Sequence, residues 1–216
     1  MTIFLTIYEK VKAKSRLGLL KMGKRIRLLI LDCTSATKEK KSEGSLLWEL
    51  MRIIGYEKRT RLVNIRGKVH FFKELENIEE PYMHISAHGD YDQTKGSCII
   101  TPKGARIYSD DFNDLWEDKN ESRIPKLVVL SACETGHTDM VRAFSKAGCR
   151  YCIAPLYSTY WDDAAVFSII FYKLLIGEKM SPWISYKSTM HGINQTFPKI
   201  SGAWSFYERG EKILIE

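Results

Sequence analysis

Short apolar runs alternate with amphipathic stretches along most of the chain. Residues 26–31 are apolar except for Arg27, and 62–65, 82–87, 127–130 and 151–156 are further mostly apolar runs. Runs of this length, bounded by polar or turn residues, read as buried strands. Between them the period changes. Leu46, Leu47, Leu50, Met51, Ile53 and Ile54 recur at helical spacing, with Ser42 or Gly44 at the start and Gly55 where a C-terminal cap glycine belongs. Met140, Val141, Phe144 and Ala147 mark another helix face, ending at Gly148. Residues 162–175 are apolar nearly all round, which predicts a well-buried helix closed by Gly177. Shorter helices are expected over 71–78, from Ser109 or Asp110 to Trp116, and over 183–191. Residues 98–100 and 105–107 flank Pro102-Lys103-Gly104 as a hairpin would, and 203–207 reads as a last strand. Strands alternating with helices imply an α/β fold, with a mostly parallel central sheet covered by helices on both faces.

Composition narrows the picture. The chain has 216 residues, enough for one sizeable core. It carries 33 basic against 26 acidic residues, a net charge of +7, and many of the cations fall in residues 1–73. A lysine-rich solvated face accounts for this charge more simply than nucleic acid binding does. Residues 1–22 read as a basic N-terminal extension or an added strand and helix, and 23–216 as the domain proper. No apolar run approaches the roughly 18–20 residues that span a bilayer, so no membrane insertion is expected. The N-terminus lacks the form of a signal peptide, and Cys33, Cys98, Cys133, Cys149 and Cys152 make an odd number. Both point to a reducing, cytoplasmic setting rather than a disulfide framework.

In an open parallel sheet, sites form at the C-terminal ends of strands. Two strands here end in reactive residues: one delivers His88, the other Cys133. A histidine beside a thiol can take its proton and return it to a leaving amine. Gly89 bares its backbone N–H and, with the N–H of Cys133, could hold an oxyanion. Gly136 leaves room for a sharp turn, and a helix start just after Cys133 would favour its thiolate. Spacing alone leaves open that Cys133 is simply a small buried residue.

The segments His84-Ile-Ser-Ala-His88-Gly89 and Leu130-Ser-Ala-Cys133-Glu-Thr-Gly136 resemble the two signature blocks of CHAT-domain proteins, caspase-like cysteine peptidases related to separases, gingipains and caspases. Ala147-Gly148, Tyr151-Cys-Ile-Ala-Pro-Leu156, Asp162-Asp-Ala-Ala, Phe171-Tyr172 and Ala203-Trp-Ser-Phe206 continue the likeness in the same order, over roughly residues 24–210. The resemblance implies a caspase-like three-layer sandwich and a cysteine endopeptidase with His88 as base and Cys133 as nucleophile. It also implies Gly89 and Cys133 as oxyanion donors, with no metal or cofactor. Many CHAT domains adjoin helical repeats, and none is present in this sequence. A protein substrate and a separate activating partner or proteolytic trigger are therefore expected, in bacterial defence or regulated cell death.

Other residues carry weaker signals. Asp162 and Asp163 could line a pocket for a basic residue at the cleaved position, or cap the long helix. Glu134 and Asp90 flank the site and could touch substrate. Cys149 and Cys152 have metal spacing but no second pair, so no zinc site is expected. His84 shares the face of His88 and either supports the site from below or packs in the core. His137 is a rival base, and residues 157–161 could border a substrate groove, with Trp161 and Trp204 as core or pocket wall. Two other readings stand beside the peptidase: a non-catalytic module of the same fold, and a flavodoxin-like ligand-binding domain. The second lacks a glycine-rich phosphate loop after the first strand.

Overall fold

The computed structural model describes residues 27–34, 42–113, 115, 124–196 and 203–215. The expectations for residues 1–22 and for a helix reaching Trp116 fall, wholly or in part, outside these. In chain order the elements are β1 (Leu28–Asp32), α1 (Glu43–Ile53), β2 (Thr60–Asn64), α2 (Lys68–Glu76), β3 (Tyr82–Ser86), β4 (His88–Asp92), β5 (Gly96–Ile100) and β6 (Arg106–Tyr108). There follow β7 (Leu127–Ser131), α3 (Thr138–Lys146), β8 (Tyr151–Pro155), α4 (Trp161–Tyr172), α5 (Pro182–Thr196), β9 (Trp204–Glu208) and β10 (Glu211–Ile213).

Seven strands form the central sheet in the order β2-β1-β3-β7-β8-β9-β10. The five from β2 to β8 run parallel; β9 and β10 are antiparallel to their neighbours. Strand residues alternate between two cores, as the pleat requires. Leu28, Ile30, Leu127, Val129 and Ile153 pack with Leu47 and Met51 of α1, Phe167 and Phe171 of α4, and Tyr186 and Met190 of α5. Leu29, Leu31, Met83, Ile85, Val128 and Leu130 pack with Phe71 and Leu75 of α2 and with Met140, Val141 and Phe144 of α3. The result is three layers, helices on either side of one sheet. Coverage on both faces is why the inner strands are continuous apolar runs.

Local chemistry sets the helix ends. Ser42 caps α1, its hydroxyl accepting from the Ser45 N–H at 3.0 Å. Residues 173–177 close α4 in a π turn rather than extending the α-helix. The stretch after Ser109 is only a 3-10 turn, Ser109–Phe112.

The hairpin at Pro102-Lys103-Gly104 is present as β5–β6, but a third strand joins it. β4, β5 and β6 make a separate antiparallel sheet inserted between β3 and β7. Its first residue is His88.

Candidate active site

The site begins with strand register. β1, β3 and β7 are adjacent, and their last residues, Asp32, Ser86 and Ser131, lie side by side. All three are buried. Two residues further along each chain come Thr34, His88 and Cys133, all lining one cavity at this end of the sheet. A shared register therefore brings His88 and Cys133, 45 positions apart in sequence, to the same opening.

Residues 132–136 form a tight loop. Glu134 adopts a left-handed backbone, φ 59°, an unusual conformation for a non-glycine residue that the surroundings must hold. Several bonds do so. The Gly136 N–H donates to the Pro155 carbonyl at 2.7 Å, Tyr207 donates its hydroxyl hydrogen to the Gly136 carbonyl, and Thr135 Oγ1 donates to the Ala132 carbonyl at 2.7 Å. A Cβ on Gly136 would sit 2.7 Å from the Pro155 oxygen, so only glycine allows this approach. Cys133 Sγ accepts from the Thr159 N–H at 3.4 Å, which points the sulfur across the cavity. Cys133 is half-buried, whereas the other four cysteines are buried. α3 begins at Thr138, five residues after Cys133, so the helix terminus is further from the sulfur than the sequence reading supposed.

His88 is exposed, and among the described residues no hydrogen bond fixes its ring. Gly89 is pressed against Cys133: a Cβ there would fall 2.1 Å from the Cys133 carbonyl oxygen and 2.8 Å from its nitrogen. The Cys133 N–H has no hydrogen-bond acceptor among the described residues.

Below the pair, the cavity measures about 210 Å³. Ser86, Ser131 and Glu43 form its floor, and Tyr160, Trp161, Ala164, Pro155 and Trp204 its walls. Trp161 and Trp204 are thus pocket wall, and residues 159–161 border the opening. Glu43, the first residue of α1, is buried. Its Oε1 accepts from Ser168 Oγ at 2.6 Å and lies 3.4 Å from Nε2 of the fully buried His84. Burial would raise this carboxyl, but attraction to His84 and polar contacts from His84, Ser131 and Ser168 outweigh it, leaving Glu43 below the usual glutamate value. His84 stands edge-on to the Tyr172 ring at 5.6 Å, so it is both a core residue and the underside of the cavity floor.

The remaining candidates lie elsewhere. Asp162 and Asp163 occupy the first turn of α4, where Asp163 is nudged upward by partial burial and by Asp162; neither lines the cavity. Asp90 is paired with Arg106 of β6 at 2.8 Å. Glu134 Oε1 accepts from Ser158 Oγ at 3.2 Å beside the opening. His137 precedes α3 and packs against the Tyr91 ring at 4.4 Å, away from the cavity. Cys149 and Cys152 are buried, and burial pushes both thiols up. Among the described residues there is no group of three or more His, Cys, Asp or Glu able to hold a metal ion, and no helix long and apolar enough to cross a membrane. Sequence reasoning missed Glu43. The signal that could have found it was His84, an ionisable residue in the middle of a buried strand, which requires a polar partner.

No protein-family model matches the chain. No curated protein sequence matches it either. Among solved structures, the complex of Porphyromonas gingivalis RgpB pro- and mature domains is similar, with a TM-score of 0.56 and 12% identity. The match covers 85% of this chain and 47% of that one, so this chain spans about half its length. At that identity the likeness is one of fold, and with the parallel sheet and its two helical layers it identifies the architecture as caspase-like α/β.

Proposed function

We propose that this chain is a caspase-like cysteine endopeptidase of the CHAT type, with His88 as base and Cys133 as nucleophile. The observation that supports it most is that β3 and β7 pair in register and that both residues open onto one cavity. In the reaction, His88 accepts the thiol proton and the sulfur attacks the carbonyl carbon of the substrate. The N–H groups of Gly89 and Cys133 hold the resulting oxyanion. The C–N bond breaks as His88 passes its proton to the departing amine, and water then hydrolyses the thioester to free the acid and regenerate the thiol. The chemistry needs no metal or cofactor.

The substrate in this reading is a protein partner cut selectively, in bacterial defence or regulated cell death, after an activating partner or a proteolytic trigger has acted. A reducing cytoplasm suits five free cysteines. The sequence offered Asp162 and Asp163 as a pocket for a basic residue, whereas the acid that lines the cavity is Glu43.

The test is cleavage of a peptide panel, or of a candidate partner, by the full chain and by Cys133→Ala and His88→Ala. Each substitution is expected to lower kcat/KM by at least roughly 10³-fold. Cleavage that survives Cys133→Ala would sink the reading and leave a non-catalytic or ligand-binding role.

A further inference from the structure

Among the described residues, the cavity beneath His88 and Cys133 is lined by a single acid, Glu43, and by no lysine or arginine. Glu43 is only 4% exposed at its side chain; Ser168 donates to its Oε1 at 2.6 Å, and Nε2 of the buried His84 lies 3.4 Å from the same oxygen. A buried carboxylate is costly to leave against hydrocarbon, so a cavity with an acid in its lining favours a polar or cationic occupant. The walls are different. Trp204 is stacked on Phe167 at 3.9 Å, and Trp161 and Ala164 complete an apolar sleeve. At about 210 Å³ the space is several times the ~30 Å³ of one liquid water, suited to one long side chain.

An aliphatic stem with a cationic head meets both demands: the stem packs along the aromatic walls and the head reaches the carboxylate. An aspartate or glutamate would bring two carboxylates together, and a leucine would leave Glu43 facing hydrocarbon. The acyl carbon attacked by Cys133 belongs to the residue before the cut bond, so that residue's side chain leaves from the cavity's mouth. We propose that Glu43 is the specificity-determining residue of this cavity and that the substrate residue it admits, immediately before the cut bond, is lysine or arginine. The proposal rests on the peptidase reading above, and it moves selectivity from Asp162 and Asp163 to an acid contributed by the first turn of α1.

The experiment uses peptides identical except for Lys, Arg, Gln, Leu or Asp before the cut bond, together with activated-ketone probes carrying the same five residues that label Cys133. Lys and Arg peptides are expected to exceed Leu and Gln by roughly 100-fold in kcat/KM, and the Asp peptide to be the poorest. In Glu43→Gln the ratio of Lys to Leu cleavage should fall to within a few-fold; a ratio taken on one sample is independent of how much of the variant is folded. Where that variant fails to fold, Glu43→Asp and the wild-type ranking carry the test. Cys133-dependent cleavage that prefers Leu, Gln or Asp overturns the proposal and leaves the peptidase standing. A Lys preference undiminished in Glu43→Gln overturns it too. Failure of every peptide and every probe overturns the peptidase reading, and this one with it.

Discussion

Gly89 is the residue at which packing and chemistry meet most closely. The atoms that a Cβ would strike there are the carbonyl oxygen and nitrogen of Cys133, both main chain, so neither can yield without moving Cys133. Gly89→Ala is expected to lower stability by about 1–3 kcal/mol, in the manner of other overpacked sites, and to cut the peptidase rate by at least roughly 10²-fold. Thermal unfolding and initial rates measure the two effects, and a variant with the wild-type rate would contradict the contact. The cysteines offer a second residue-scale check. Burial pushes the thiols of Cys33, Cys98, Cys149 and Cys152 upward, and only Cys133 has a partly open sulfur-bearing side chain. Iodoacetamide at neutral pH should therefore modify Cys133 first, as read by peptide mapping. Comparable early labelling of Cys149 or Cys152 would mean that the half of the sheet around β8 opens readily.

At the scale of elements, the inserted hairpin and the loop of residues 132–136 are joined by one buried serine. Ser97, on β5, donates its N–H to Asp139 Oδ2 at 2.8 Å and its hydroxyl hydrogen to the Glu134 carbonyl at 2.8 Å. Glu134 is the left-handed residue after Cys133, and β5 pairs with the strand that starts at His88. Ser97→Ala leaves a carbonyl of that loop unpartnered and is expected to cost about 1–2 kcal/mol in urea unfolding. It should also slow cleavage, while Ser97→Thr, which keeps the hydroxyl, recovers part of the rate. Equal rates for Ala and wild type would show that the hairpin does not hold the loop. These elements were unequally legible from sequence. The inner strands are buried on both faces, so they appear as unbroken apolar runs, and His88 and Cys133 stand out because each follows such a run. β4 reads His-Gly-Asp-Tyr-Asp and β10 reads Glu-Lys-Ile, short edge strands with little apolar period, and neither was visible. Glu43 was hidden for another reason. An acid one residue after Ser42 reads as an ordinary first-turn carboxylate, and only tertiary packing, against β3 and α4, buries it.

Across the whole molecule, Glu43 binds one helical layer to the sheet. Its carboxylate belongs to α1, the imidazole beneath it to β3, the hydroxyl at 2.6 Å to α4, and Ser131 ends β7. Removing one partner of such a buried group is destabilising, because the other partners lose their compensation. The pH dependence has a definite direction. The folded chain holds Glu43 below its ordinary value of 4.5, so the unfolded chain takes up a proton first as acid is added. The stabilisation is complete above about pH 5 and is lost as the pH falls through the lower, folded value. Glu43→Gln cannot titrate. It should be less stable than wild type at pH 7, and the gap between the two should close as the pH drops from about 5 towards 3. Urea midpoints measured along that range test this. Curves that stay parallel would mean that Glu43 has the same proton affinity folded and unfolded, and so that its contacts with His84, Ser131 and Ser168 do not favour the carboxylate.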